Sequence, residues 1–193
     1  MIKLEAARNE KYYTYEDYCT WDDSERWELI DGVAYAMSPG ASFNHQSVGM
    51  ALAWQLMNYL HGKPCKVLTA PFDVRLTADR GDDTVVQPDV LVVCDKTKFD
   101  PAGRGVIGAP ELVVEILSPS TQRHDKLTKL TAYQKAGVLE YWIVDPESKT
   151  VSVNILDAGG KYETRLYYEN DIVKVHVLDD CTIELAGIFA DLL

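Results

Sequence analysis

The chain has 193 residues, 47% of them hydrophobic and 25% charged, with a formal net charge of −11. That length suits one domain with a real core. The acidic balance argues against a general nucleic-acid binder, which needs a basic footprint. No apolar run approaches the roughly 20 residues of a membrane span. The first residues, MIKLEAARNEKYY, lack the apolar centre of a signal peptide, so the expectation is a cytoplasmic protein. The acidity lies at the two ends: residues 1–31 and 157–193 each carry a net −5, whereas the middle carries −1. Cys19, Cys65, Cys94 and Cys181 are scattered, with no metal-ligand spacing, which disfavours a zinc site. Cys94, in an apolar strand, is expected as a buried thiol.

In chain order, YYTYEDYCT (12–20) predicts a short helix capped by Thr14, with Asp17 three residues on. Arg26 to Met37 predicts a hairpin, because Asp31-Gly32 is a strong turn signal between two apolar runs. Glu28 lies in its first arm and has an inward orientation open to it. A long helix is expected from about Phe43 to His61, where Val48, Leu52, Leu56 and Tyr59 form one core-facing stripe. Gly62 and Pro64 stop it. Residues 66–76 predict a strand with a proline irregularity, 84–95 a second strand, and 96–109 a loop rich in Gly, Pro and Lys.

The segment 110–145, PELVVEILSPSTQRHDKLTKLTAYQKAGVLEYWIVD, then reads strand, helix, strand. That is a βαβ-type crossover. Leu127, Leu130 and Tyr133 are expected to give its helix (121–136) an apolar side, and Gly137 to end it. Residues 150–156 alternate and are expected to pair back on 140–144. One or two strands follow in 161–178, and a terminal apolar segment in 181–193. With no repeat or linker visible, residues 1–193 are read as a single domain.

Two residues break the pattern. Glu115 sits in a strand that is apolar on both faces, beside Val113 and Leu117 on its own face. An ionised carboxylate there costs several kcal/mol unless a metal ion or a lysine pairs with it. Asp89 is the same exception in the strand before, on a face with Leu91 and Val93. Two lone acids on neighbouring strands fit a shared metal site. They fit equally two unrelated acids capped near strand ends by backbone N–H groups or a surface cation.

The segments WELIDG (27–32), MSPG with the following His45, QPDVLVV (87–93), PELVVEILSPST (110–121) and DKLTKLTAYQKAGVLEYWIVDP (125–146) resemble the Uma-type restriction endonuclease family. That family lies within the PD-(D/E)XK nuclease superfamily. The resemblance covers nearly the whole chain. It implies an α/β, mixed-sheet, restriction-endonuclease-like core in the order helix, three strands, helix, strand, with the N-terminal hairpin and the C-terminal strands as additions. It also implies that Asp89 and Glu115 are metal-binding acids for Mg²⁺ or Mn²⁺. The superfamily's usual lysine would fall two residues after the glutamate, where this chain has Leu117. The Uma-type pattern moves it to the following helix, at Lys129, with Lys126 one turn away as the rival. Asp125, four residues before Lys129, offers it an ordinary helical ion pair instead. Glu28 and His45 fall in family-like segments as supporting residues.

The activity so implied is metal-dependent endonucleolytic hydrolysis of phosphodiester bonds, with DNA as the expected substrate. A homodimer is expected if both strands of a duplex are cut. Two other readings remain open. One is a non-catalytic nucleic-acid-binding or interaction module on the same fold. The other is a metal-dependent hydrolase of a small phosphorylated substrate.

Overall fold

The computed structural model describes residues 12–21, 25–37, 40–118 and 124–193. Helix α1 (Tyr15–Tyr18) opens with a full capping box: Thr14 accepts from the Asp17 N–H and the Asp17 carboxylate takes the Thr14 N–H. Strands β1 (Trp27–Ile30) and β2 (Val33–Ala36) form the expected hairpin. Its turn places Asp31 at φ 48° and Gly32 at φ 75°, the left-handed pair that a tight two-residue hairpin demands. Helix α2 (Phe43–Leu60) starts at Ser42, whose side chain accepts from the His45 N–H. It buries Val48, Leu52, Leu56 and Leu60, one residue per turn.

The two longer strands read from the middle of the sequence are each broken. Residues 66–76 divide at Pro71 into β3 (Lys66–Thr69) and β4 (Asp73–Arg75). Residues 84–95 divide at Gln87-Pro88 into β5 (Val85–Val86) and β6 (Val90–Val93). Proline has no N–H to give a ladder, so the chain changes sheets there. The segment 96–109 is not all loop, since β7 (Gly105–Ile107) pairs parallel with β4. Strand β8 (Leu112–Ile116) is wholly buried. A π-helical turn (His124–Lys129) leads into α3 (Leu130–Ala136), which ends at Gly137 in the left-handed conformation. Strands β9 (Glu140–Asp145), β10 (Thr150–Leu156) and β11 (Tyr162–Tyr168) follow. A small β12 (Ile172–Lys174) and β13 (Thr182–Glu184) pair, and α4 (Leu185–Phe189) comes last.

The central sheet runs β11-β10-β9-β8-β6-β3. Only β8 and β9 are parallel, as the crossover through α3 requires. A second sheet, β2-β1-β5-β4-β7, packs beside it. Alternation sorts the central strands into two cores. Val90, Val92, Val114, Ile116, Trp142 and Val144 face α2 and α4. Leu91, Val93, Val113, Tyr141 and Ile143 face α3 and the second sheet. Sliding one strand by one residue would exchange its two faces, so the register that holds the acids is held by both cores.

Two side-chain expectations are corrected, and one neighbouring pair in β4 does not form. Cys94 is not a free thiol but is disulfide-bonded to Cys65 across β3 and β6. Leu127 is exposed and leaves the apolar face of its helix to Leu130, Ala132 and Tyr133. Arg75 does not neutralise its neighbour Asp73. It pairs with Asp82 at 2.5 Å, while Asp73 accepts from Tyr18 Oη and Gln87 Nε2. Burial pushes the Asp73 carboxyl up from its ordinary range. Among the described residues, no helix is long and apolar enough to cross a membrane.

Candidate active site

Glu115 stands on the β8 face that carries Val113 and Leu117, as alternation predicts, and is 4% exposed. Its partner is a lysine. Lys129 Nζ lies 2.9 Å from Glu115 Oε1 and 2.9 Å from Glu28 Oε1, with Lys129 itself 4% and Glu28 3% exposed. Tyr133 Oη donates to the same Glu115 oxygen at 2.6 Å. Glu28, from the middle of β1, also accepts the Gln87 backbone N–H at 2.9 Å. One cation is therefore shared by two buried carboxylates from strands distant in sequence, β1 and β8. Breaking such a group by removing one member is far more costly than never having built it.

The local sequence explains how Lys129 reaches in. It closes the π-helical turn, whose i→i+5 bonds widen the helix, and such turns recur at functional sites. Tyr133 follows four residues later in regular α-helix, so the two side chains stack on one face. The wider turn also removes Lys126 from that face: Lys126 is exposed while Lys129 and Tyr133 are buried. The Asp125 side chain lies outside the described residues. Burial and the nearby charges of Glu115 and Glu28 push the Tyr133 phenol well above its ordinary range, so it stays a neutral donor at any working pH.

Asp89 is the residue just before β6. The last rung between β6 and β8 is Val90 to Val114. At the next position the Asp89 carboxylate replaces the ladder and accepts the Ile116 N–H through Oδ2 at 2.7 Å. Opposed residues of an antiparallel pair share a face, so Asp89 and Glu115 occupy the same edge of the same face. His45 Nε2, from the first turn of α2, lies 3.2 Å from Asp89 Oδ2. Asp89 and His45 remain partly open to solvent.

The five residues Glu28, His45, Asp89, Glu115 and Lys129 thus gather at one end of the central sheet. Sequence reasoning missed the Tyr133 hydroxyl and the Gln87 and Ile116 N–H groups. Only the four-residue spacing from Lys129 to Tyr133 signalled one of them.

The donors are all hard oxygens. Asp89, Glu28 and Glu115 supply carboxylate oxygens, two of them paired with Lys129 and the third with His45. Mg²⁺ is commonly held by one or two carboxylates with water completing its shell, which fits two acids on adjacent strands. No cluster of three or more His, Cys, Asp or Glu able to cage a metal exists among the described residues.

The profile of the Uma2 family, described as "Putative restriction endonuclease", matches residues 13–186. The chain belongs to that family. Its relatives include the uncharacterized protein slr1290 of Synechocystis, 30% identical over 158 residues, which is 81% of this chain and 74% of that protein. The uncharacterized protein sll1609 of the same organism is 28% identical over 123 residues, 63% of this chain and 67% of that one. A crystal structure described as "a putative nuclease belonging to DUF820" from Anabaena variabilis superposes with a TM-score of 0.74 at 17% identity. It covers 92% of this chain and 98% of that one. At that identity the likeness speaks for the fold. Order and sheet topology agree with it: the core α2–β3–β6–β8–α3–β9 is restriction-endonuclease-like.

Proposed function

We propose that this member of the Uma2 family is a metal-dependent endonuclease that hydrolyses phosphodiester bonds, with DNA as its substrate. The observation that carries the reading is the buried Glu28–Lys129–Glu115 group beside Asp89. A chain that needed only stability would do as well or better with apolar residues there.

In this reading Asp89 and Glu115 would hold Mg²⁺ or Mn²⁺, with Glu28 as a further acid. The cation, when bound, supplies Lewis-acid stabilisation of charge on the phosphate and eases deprotonation of the attacking water. Lys129, held between two carboxylates, presents a fixed ammonium to the phosphate or to that water. Tyr133 keeps Glu115 aimed by donating to one of its oxygens. His45 and the Ile116 N–H do the same for Asp89. Convergence of groups from two strands and one helix supplies the positioning that hydrolysis needs.

Residues 1–193 are read as one nuclease domain, because both cores share the central sheet. Cutting both strands of a duplex favours a homodimer. A cytoplasmic location belongs to the same reading; the thiol pool there keeps most disulfides reduced, so Cys65–Cys94 would report on that assignment.

The test is calorimetric titration with Mn²⁺. Wild type should bind with one dominant site, and Asp89→Asn and Glu115→Gln should each weaken binding at least about tenfold. Equal binding by all three would place the metal elsewhere. No binding, together with retained DNA affinity, would favour the non-catalytic module.

A further inference from the structure

Helix α2 has two faces, and only one is accounted for. The inner face is buried. The outer face carries Phe43, Met50, Trp54 and Met57, which are 56, 71, 65 and 60% exposed. The last three are spaced four and three apart, and Phe43 lies two turns before Met50. Together they make one stripe along the helix. All 18 residues of α2 are without Asp, Glu, Lys or Arg. At the chain's average of 25% charged, about four would be expected. Exposed faces of monomeric proteins are seldom so bare.

Beside the stripe lies a groove of about 520 Å³, floored by Ala51, Gly187 and Ile188 and edged by Met50 and Trp54. Helix α4 is clamped against α2 there by Gln55, whose side chain donates to the Glu184 carbonyl and accepts the Glu184 N–H. The groove is therefore preformed. Gly187 lines it without a side chain.

We infer that this face is a two-fold interface between copies of the chain, formed by α2 packing on the partner copy's α2. Three observations select a second copy. First, area: large side chains expose roughly 150–250 Å² each when free, so four at these exposures offer on the order of 500 Å². A standard interface takes about 800 Å² per partner, about 65% of it apolar in homodimers, which is close to the same figure. Second, charge: each copy carries −11, and a contact through α2 adds no charged residue of that helix to the repulsion, Asp191 being the acid on the groove's lining. A membrane would ask for basic residues flanking the stripe, and DNA would ask for basic residues on it. Third, shape: an isologous contact needs a ridge and a groove on the same patch, and the Met50–Trp54 ridge lies against the groove. The inference rests on no catalytic assignment. It does tie the two sites together, since His45 is on the same helix.

Sedimentation equilibrium on the full chain at 50 and 500 mM NaCl tests it. Wild type should be a dimer whose dissociation constant falls as salt rises, because screening weakens the mutual repulsion. DNA binding would show the opposite salt dependence. Trp54→Glu and Met50→Lys should raise the constant by about 100-fold while leaving the circular dichroism spectrum unchanged, since both side chains are exposed. A Met50→Cys variant on a Cys19→Ser background should form a covalent dimer on mild oxidation, and Leu166→Cys on that background should not. A wild-type monomer at about 100 μM, a dimer indifferent to both substitutions, or pelleting of wild type with anionic vesicles would each overturn the inference. None of these outcomes bears on whether the protein cleaves DNA.

Discussion

Replacing Lys129 with Met keeps the length of the stem and removes the charge. Each of the two 2.9 Å contacts is worth about 6 kcal/mol of attraction at an effective dielectric of about 20. Against that stands a desolvation cost of several kcal/mol per buried ion. The variant keeps the cost for Glu28 and Glu115 and loses the attraction, and it leaves the two carboxylates facing each other. The expected loss is about 3–5 kcal/mol of unfolding free energy at pH 7, read by urea denaturation. Adding Glu115→Gln should recover at least half of it, because only one buried charge then remains. A loss below about 1 kcal/mol at pH 7 would refute the view that Lys129 is the counterion of both acids.

Tyr133→Phe should cost about 1.5–3 kcal/mol, the range for a buried hydrogen bond to a charged acceptor, and should lower cleavage more than substrate affinity; comparing kcat with KM checks this. Glu140 is buried, accepts from Trp142 Nε1 and the Val177 N–H, and burial raises its carboxyl above the ordinary 4.5. A raised acid stabilises the fold only below its ordinary value and loses that contribution as pH rises through the raised one. Wild type should therefore lose melting temperature relative to Glu140→Gln as pH climbs from about 4.5; a parallel pair of curves would contradict this. Reducing Cys65–Cys94, which spans a sequence separation of 29, should destabilise the chain by about 3.5 kcal/mol on the chain-entropy account. Equilibrium denaturation with and without reductant measures it, and coincident curves would show that the bond contributes nothing.

Much of the fold was legible because its signals are local. Asp31-Gly32 can make only a tight turn, Thr14 and Asp17 cap each other, and α2 repeats an apolar residue every turn. The Glu115 strand announced its own anomaly, since a carboxylate among valines demands a partner. The partner's identity was legible only through the family resemblance, because Lys129 lies 14 residues on, in the next element, and nothing in 112–117 points to it. What stayed hidden depends on contacts distant in sequence. Glu28 joins Lys129 only once the hairpin packs across α3. Cys65 meets Cys94 only through the β3–β6 register. The π-helical turn that leaves Lys126 exposed has no sequence period of its own, so a spacing of one turn did not separate Lys126 from Lys129. The proline at 88 was visible, but its effect, a change of sheets, required knowing that two sheets exist.

The account stands or falls on cleavage of supercoiled plasmid at low salt with Mn²⁺ or Mg²⁺, run with wild type, Glu115→Gln, Lys129→Met and Lys126→Ala. The reading predicts nicking by wild type and by Lys126→Ala, and none by the other two while both remain folded. Cleavage that survives Glu115→Gln and Lys129→Met would contradict it.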